Sequence, residues 1–434
     1  MNKSLATLLL IVLAACTNSK KETISSKADY ASYINESSAQ LVENTSLESS
    51  ISFWESKIEA QPNGYTYYNK LAEAKSQLFE KNGDVSLLPQ IERLHLEANN
   101  LVAGKRKAAN FIALSSNAIK QHQFQPALDY AYAAMDNTDE KFGPALMVFD
   151  AAMELGLYDL AERMLKVTKN LDSFDYLVRL SKFQDYEGDL DSAIVLMESA
   201  FDMVKSKNHA TALWAQANLA DMYGHAGEID KSYQNYLAVL KKNPDYIYAL
   251  KGIAWVAYAH DNKVDEAREI VEYLVKQKAM PDHHLLLAEL AEYQGDNELQ
   301  QKHMQLFESE ASKAKYKGMY DAHLADLYAS EYGDFEKALS FAHKEVKKRP
   351  TPAMYALLAW VYELKGDHKK ALDIIEDHVE NKSFEPDLIY KSSVIYASNN
   401  MDSKAKEYFL EARDASYELG PVISQEVDRY LQSM

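Results

Sequence analysis

Apolar side chains along most of this chain recur three and four residues apart, in runs about a dozen residues long separated by short polar breaks. That period predicts amphipathic helices joined by tight turns rather than strands. The stretches "SEYGDFEKAL" (330–339), "DYEGDLDSAI" (185–194), "MELGLYDLAE" (153–162) and "ELKGDHKKAL" (363–372) share one layout. Each ends a helical run at Gly, passes two further residues and places a small residue inside the next helix. The small residue recurs at Ala127, Ala161, Ala193, Ser232, Ala267, Gln300, Ala338, Ala371 and Ala405, at intervals of 32 to 39 residues.

Two further columns keep step with that anchor. Five residues before it stand His122, Gly156, Gly188, Gly227, Asn262, Gly295, Gly333, Gly366 and Asn400. Gly and Asn tolerate the left-handed conformation that ends a helix, so this column predicts the turn. Thirteen residues before the anchor stand Leu114, Val148, Leu180, Leu219, Ala254, Leu287, Ala325, Leu358 and Ser392. The next residue is small at Ser115, Ser181, Ala220, Ala288, Ala359 and Ser393, and is replaced at Phe149, Trp255 and Asp326. Small residues on both helices let two antiparallel backbones approach at their crossing. One such pair leaves an apolar face wet, so it must stack on its neighbours.

A period near 34 with these columns, closed by Pro244 and Pro350, resembles the tetratricopeptide repeat (TPR). The resemblance covers residues 65–434 and implies an all-α fold. The fold it implies is an α-solenoid, a right-handed superhelix of about nine to ten helix-turn-helix units. Residues 108–418 supply nine units. Residues 53–107 form a divergent first repeat with a turn lengthened around Asn82-Gly83-Asp84. Residues 419–434 open at Gly420-Pro421 and form a capping helix, with Ile423, Val427, Tyr430 and Leu431 on its apolar face. A polar outer face is expected there, to solvate the end of an open stack.

The amino terminus reads differently. "MNKSLATLLLIVLAAC" carries one basic residue and then eleven mostly apolar ones, too few for the ~20 that span a bilayer. Residues 1–15 are therefore expected to be a removed signal peptide. Leu13-Ala14-Ala15-Cys16 resembles the lipobox of bacterial lipoproteins, which implies an acylated Cys16 anchored in a lipid bilayer. Thr17 in place of Asp resembles the outer-membrane default, so the expected location is the outer membrane of a bacterial cell envelope, on its periplasmic face or at the cell surface. Residues 16–52 are rich in Ser, Thr, Asn, Glu and Lys and read as a polar tether. Cys16 is the only cysteine, so neither a disulfide within the chain nor a cysteine zinc site is available. The formal net charge is −18 with no basic stripe, which argues against nucleic acid as a partner.

In the repeat family resembled, the first helix of each unit lines a concave groove. Carrying those positions across the units gives a candidate partner-binding groove of Asp150, Glu154, Lys182, Asp185, Tyr186, Trp214, Asp221, His225, His260, Glu289, Glu292, Tyr293, Tyr320, Glu331, Trp360, Glu363 and Tyr390. Acids outnumber bases and aromatics are frequent, which suits a protein or peptide with a basic segment. Asp221, His225 and His260 also form a conceivable metal triad across two units, although solvated polar lining is the simpler reading and no metal or other cofactor is expected. The chain lacks G-x-x-x-x-G-K-[ST], H-E-x-x-H, G-x-S-x-G and G-x-G-x-x-G, so an enzyme is not expected. The expected function is a membrane-anchored scaffold or adaptor. The alternative is a nutrient- or glycan-capturing surface lipoprotein of SusD-like type, which would need long insertions between repeats.

Overall fold

The computed structural model describes residues 23–34, 39–206, 209–278 and 280–434, with the backbone alone for 39–45 and 209. Residues 1–22, and with them the signal segment and Cys16, lie outside the described residues. Among the described residues every regular element is helical. None of these helices is long and apolar enough to cross a membrane.

Helix Ala39–Ala60 precedes ten antiparallel pairs. The pairs begin with Tyr65–Asn82 and Leu88–Asn100, then Lys107–Lys120 and Phe124–Asp136, and continue with the predicted period to Pro386–Ser398 and Asp402–Asp414. A last helix, Ser416–Ser433, follows. The chain is thus an α-solenoid of helix pairs.

The crossing columns explain the pairing. Eight of the nine anchors are essentially inaccessible, and Gln300 retains 8% exposure. Ser115, Ser181, Ala220, Ala288, Ala359 and Ser393 are buried opposite them. At two of the three facing serines the hydroxyl also bridges the two helices: Ser115 Oγ donates to the Ala127 carbonyl at 2.8 Å, and Ser181 Oγ to the Ala193 carbonyl at 2.7 Å, while Ser393 Oγ donates to the Tyr390 carbonyl in its own helix. All nine predicted turn residues have positive φ, from 55° at His122 to 89° at Gly366. The turn therefore needs the left-handed conformation in every unit, and three units reach it without glycine.

One unit departs from the rule. Its first helix, Ile247–Trp255, widens into a π-turn over Val256–His260 directly after Trp255, the residue that replaces a small one. π-Turns of this kind concentrate at functional positions, and residues 24–30 and the C-terminal helix both reach this one.

The coil also closes on itself. Gly156 packs against the Pro350 carbonyl and Thr351, Gly188 against the Phe384 ring, and Gly83 against Lys278. The partners in each contact lie about six repeats apart, so successive turns of the coil touch. Lys348 and Arg349 sit over the Phe124 ring at 5.7 and 5.6 Å, sealing another point of the same seam.

Two segments differ from expectation. Residues 24–30, expected within a polar tether, are seated on the middle of the coil, with Ser25 and Tyr30 buried. Residues 419–434, expected to cap an open end, instead belong to a helix, Ser416–Ser433, that turns inward. Polar composition and a lone amphipathic helix do not specify docking, because the receiving surfaces come from units far away in sequence.

If close crossing holds each unit together, Ala193→Leu overpacks a fully buried anchor. A loss of about 1–3 kcal/mol is expected, read as a lower urea midpoint. Val195→Leu, at a position 59% exposed on the same helix, should leave the midpoint unchanged.

Candidate functional site

The first helices of the units face the inside of the coil, and the C-terminal helix lies across them. It packs on His209–His225, on the π-turn, on Pro281–Tyr293 and on Pro386–Ser398, besides its predecessor Asp402–Asp414. Those four are all first helices, so the segment occupies the concave side. Its path depends on a kink at Gly420 (φ 76°, ψ 166°), followed by Pro421. Leu419, Gly420, Pro421 and Val427 are buried. A Cβ at Gly420 would stand 2.8 Å from Glu289 Oε1 and 2.9 Å from the Trp255 ring, so only glycine allows this approach. Trp255 Nε1 donates to the Tyr417 carbonyl at 3.1 Å, the Tyr390 hydroxyl donates to Glu426, and His225 Nδ1 lies 3.6 Å from Glu418. The expected solvating cap is therefore a plug in the middle of the groove. The reason is geometric: the closed coil offers the apolar face of this helix several units to bury against, where an open stack would offer one.

This plug divides the predicted groove residues. Glu289, Glu292 and Tyr390 lie beneath or beside it. Glu289 is largely withdrawn from water, and its carboxyl is pushed up to about 7, chiefly by burial, with the Glu292 carboxylate adding to the effect. Burial, together with Glu331 and Glu426, also raises Glu292. Asp150 is held by a two-pronged hydrogen bond from Arg179, at 2.9 and 2.6 Å. Tyr320 donates to Asp282 at 3.3 Å, and Tyr293 to Asn262 at 3.4 Å. Trp360 packs near Tyr390 with ring centres 6.0 Å apart, and Glu363 is buried 2.9 Å from His368 Nδ1. Trp214 stays 40% exposed, edge-on to Phe174. Glu331 is half-buried, its carboxyl raised by burial and by Asp326.

Asp221, His225 and His260 do not converge. Asp221 accepts from the Tyr236 and Tyr248 hydroxyls, His225 faces Glu418, and His260 Nδ1 is 2.7 Å from Asp261. Among the described residues no three His, Cys, Asp or Glu side chains are grouped to hold a metal ion.

Five predicted residues do come together. Glu154, Lys182, Asp185, Tyr186 and His225 line a cavity of about 520 Å³. It opens between one turn of the coil and the next, and Glu418 of the plug closes one side. Tyr158 stacks on Tyr186 with ring centres 4.0 Å apart, and Phe384, 56% exposed, lies over Gly188 to complete an aromatic wall. Four carboxylates, Glu154, Asp185, Glu385 and Glu418, face two fixed cations, Lys182 and Arg349. Lys182 is already engaged by Glu154 at 3.0 Å. Withdrawal from water raises the Glu385 carboxyl, and Asp387, Glu418, Asp185 and Glu154 reinforce the shift. Burial raises Glu418 in the same way, with His225 opposing. The cavity is short of positive charge and has apolar walls, a combination suited to an alkylammonium or guanidinium group on a carbon stem.

Sequence reasoning missed Tyr158, Arg349, Phe384, Glu385 and Glu418. They come from a second helix, from the next turn of the coil and from the plug, none of which belongs to a first-helix column. Only the tyrosine left a trace, as an aromatic two residues after a turn glycine.

Because Glu289 binds its proton more tightly in the folded chain than in the unfolded one, its contribution runs against high pH. Stability should rise as pH falls from about 7 towards the ordinary carboxyl range, and then level off for this group. Glu289→Gln should raise the urea midpoint at pH 8 and shrink the difference between pH 8 and pH 5. Some pH dependence should remain, since Glu292, Glu331, Glu385 and Glu418 shift in the same direction.

No family model matches the chain, and no curated protein matches it. Solved structures do. A tetratricopeptide repeat protein from Parabacteroides merdae is similar over 60% of this chain and 97% of its own, at 15% identity and a TM-score of 0.35. The human IFIT1 dimer with PPP-AAAA is similar over 80% of this chain and 90% of its own, at 14% identity and a TM-score of 0.44. PilW, a widely conserved type IV pilus biogenesis factor, is similar over 49% of this chain and 97% of its own, at 13% identity and a TM-score of 0.39. At these identities the likeness speaks to the fold alone. The chain is a helical-repeat protein, and the solved chains it is similar to include tetratricopeptide-repeat proteins.

Proposed function

We propose that this chain is a lipid-anchored adaptor of the bacterial envelope, joined to the outer membrane through acylated Cys16, that grips a basic segment of a partner protein. The observation that carries the binding half is the cavity between turns, where four carboxylates meet two cations beside an aromatic wall. A Lys or Arg side chain entering there would place its charge among carboxylates that are partly withdrawn from water, and its stem against Tyr158, Tyr186 and Phe384. Long-range attraction from an acidic chain would speed the encounter and make it sensitive to salt. Nothing in the cavity's chemistry calls for catalysis, and the reading is of a binding site.

The IFIT1 structure holds PPP-AAAA, a polyanion. The carboxylates here would repel such a ligand, which supports a protein partner over nucleic acid. The nutrient-capture alternative needs substantial insertions between repeats, whereas helix pairs account for most of the described chain.

Two experiments test the two halves separately. Crosslinking in membranes should give discrete protein adducts of the wild-type chain. Asp185→Lys combined with Glu385→Lys should remove most of them, with the urea midpoint measured alongside to show that the coil stays folded. Unaltered adducts would show that the partner binds elsewhere. Growth with labelled palmitate should mark the wild-type chain and leave Cys16→Ser unmarked.

A further inference from the structure

The segment that begins at Ile24 makes contacts of a kind that a loose tether does not. Its backbone N–H groups point at one side chain: Ile24 N donates to Asp261 Oδ1 at 3.0 Å, and Ser25 N to Asp261 Oδ2 at 2.7 Å. Ser25 Oγ donates to the same oxygen at 2.6 Å. The Tyr233 hydroxyl accepts from Ser26 N at 3.0 Å, and Tyr30 donates to Glu266 at 2.6 Å. Lys263 donates to the Ser25 carbonyl, and Lys27 pairs with Glu269. Tyr30 is fully buried, in the same core cluster as Leu213, Ile229 and Tyr233.

The seat is built around a charge that needs this segment. The Asp261 side chain has no exposed surface. Within the coil it has His260 Nδ1 at 2.7 Å and Lys263 at 3.7 Å. The remaining donors come from residues 24 and 25. A buried carboxylate stripped of hydrogen-bond donors is costly, so removal of the strap would leave a poorly satisfied anion.

We infer that residues 24–30 form a docked strap that holds the Asp261 edge of the coil close to the lipid surface carrying Cys16. The inference rests on the lipid-anchor reading proposed above. Seven residues lie between Cys16 and Ile24, so the span is at most about 28 Å at full extension. Without the strap, the leash would run on to the helix that starts at Ala39 and could reach roughly 80 Å. Docking therefore turns a long tether into a short one. It also decides which edge of the coil faces the bilayer: the edge carrying the π-turn, whose Trp255 holds the plug.

The test uses the full acylated chain, in which Cys16 is blocked and a thiol introduced by Asp230→Cys, at an exposed position one turn before Tyr233, is the only one open to a fluorophore. The protein is placed in vesicles of phosphatidylethanolamine and phosphatidylglycerol with headgroup-labelled lipid. Amide exchange at residues 24–26 is followed in parallel. Ser25→Pro removes one strap N–H and the hydroxyl without touching the coil, and Asp261→Ala removes the seat. In the parent protein, exchange at residues 24 and 26 should be at least tenfold slower than in either variant, and energy transfer to lipid at least twofold higher. If the chain takes up palmitate but these amides exchange freely, or transfer is the same in all three proteins, the strap proposal is overturned while the anchor reading stands. If the chain takes up no palmitate, the anchor reading falls and the membrane part of this proposal falls with it.

Discussion

The whole architecture depends on one contact repeated along the chain: the crossing of two helices at a point where neither carries a large side chain. The anchors from Ala127 to Ala405 and the small residues facing them bring backbones close enough for Ser115 and Ser181 to bridge from one helix to the carbonyls of the other. That crossing sets the tilt between the helices of each unit. Repeated through ten pairs, the tilt accumulates into a coil tight enough for its turns to meet. An inter-turn seam such as Gly188 on Phe384 is thus a distant consequence of small residues elsewhere.

Closure changes what the inner surface can do. In an open array the first helices would present one continuous groove. Here the C-terminal helix fills the centre, held at Gly420 against Glu289 and Trp255, and the stretch between turns remains open as a cavity. Burial beneath the plug raises Glu289, and Glu426 on the plug faces Glu292. The plug thus carries acids into an already acidic channel. Apolar burial of Leu419, Pro421 and Val427 must outweigh that repulsion.

Residues 24–30 and the C-terminal helix both converge on the unit with the π-turn. Trp255 and Asp261 bracket it, the first binding the Tyr417 carbonyl and the second the amides of Ile24 and Ser25. The irregular turn is therefore where the repeat gives up regular geometry to receive two non-repeat segments. The cavity proposed to bind a partner lies on other units, and it is tied to this one through the plug, which carries Glu418 into the cavity and Tyr417 onto Trp255.

What the residues alone determined is everything carried by local periodicity. The helical period, the small anchors and the left-handed turn column need only neighbours within one unit, and His122, Asn262 and Asn400 adopt positive φ just as the glycines do. What tertiary structure decided is everything that joins residues many repeats apart. Phe384 and Glu385 reach the wall of Tyr186 because of the coil's winding, and Ser25 finds Asp261 across 236 residues. Winding is the sum of many small crossing angles, each set by packing detail finer than a hydrophobic pattern can encode. A pattern read one unit at a time therefore reveals the repeat, while the pitch of the coil and the surfaces it closes emerge only from the assembled chain.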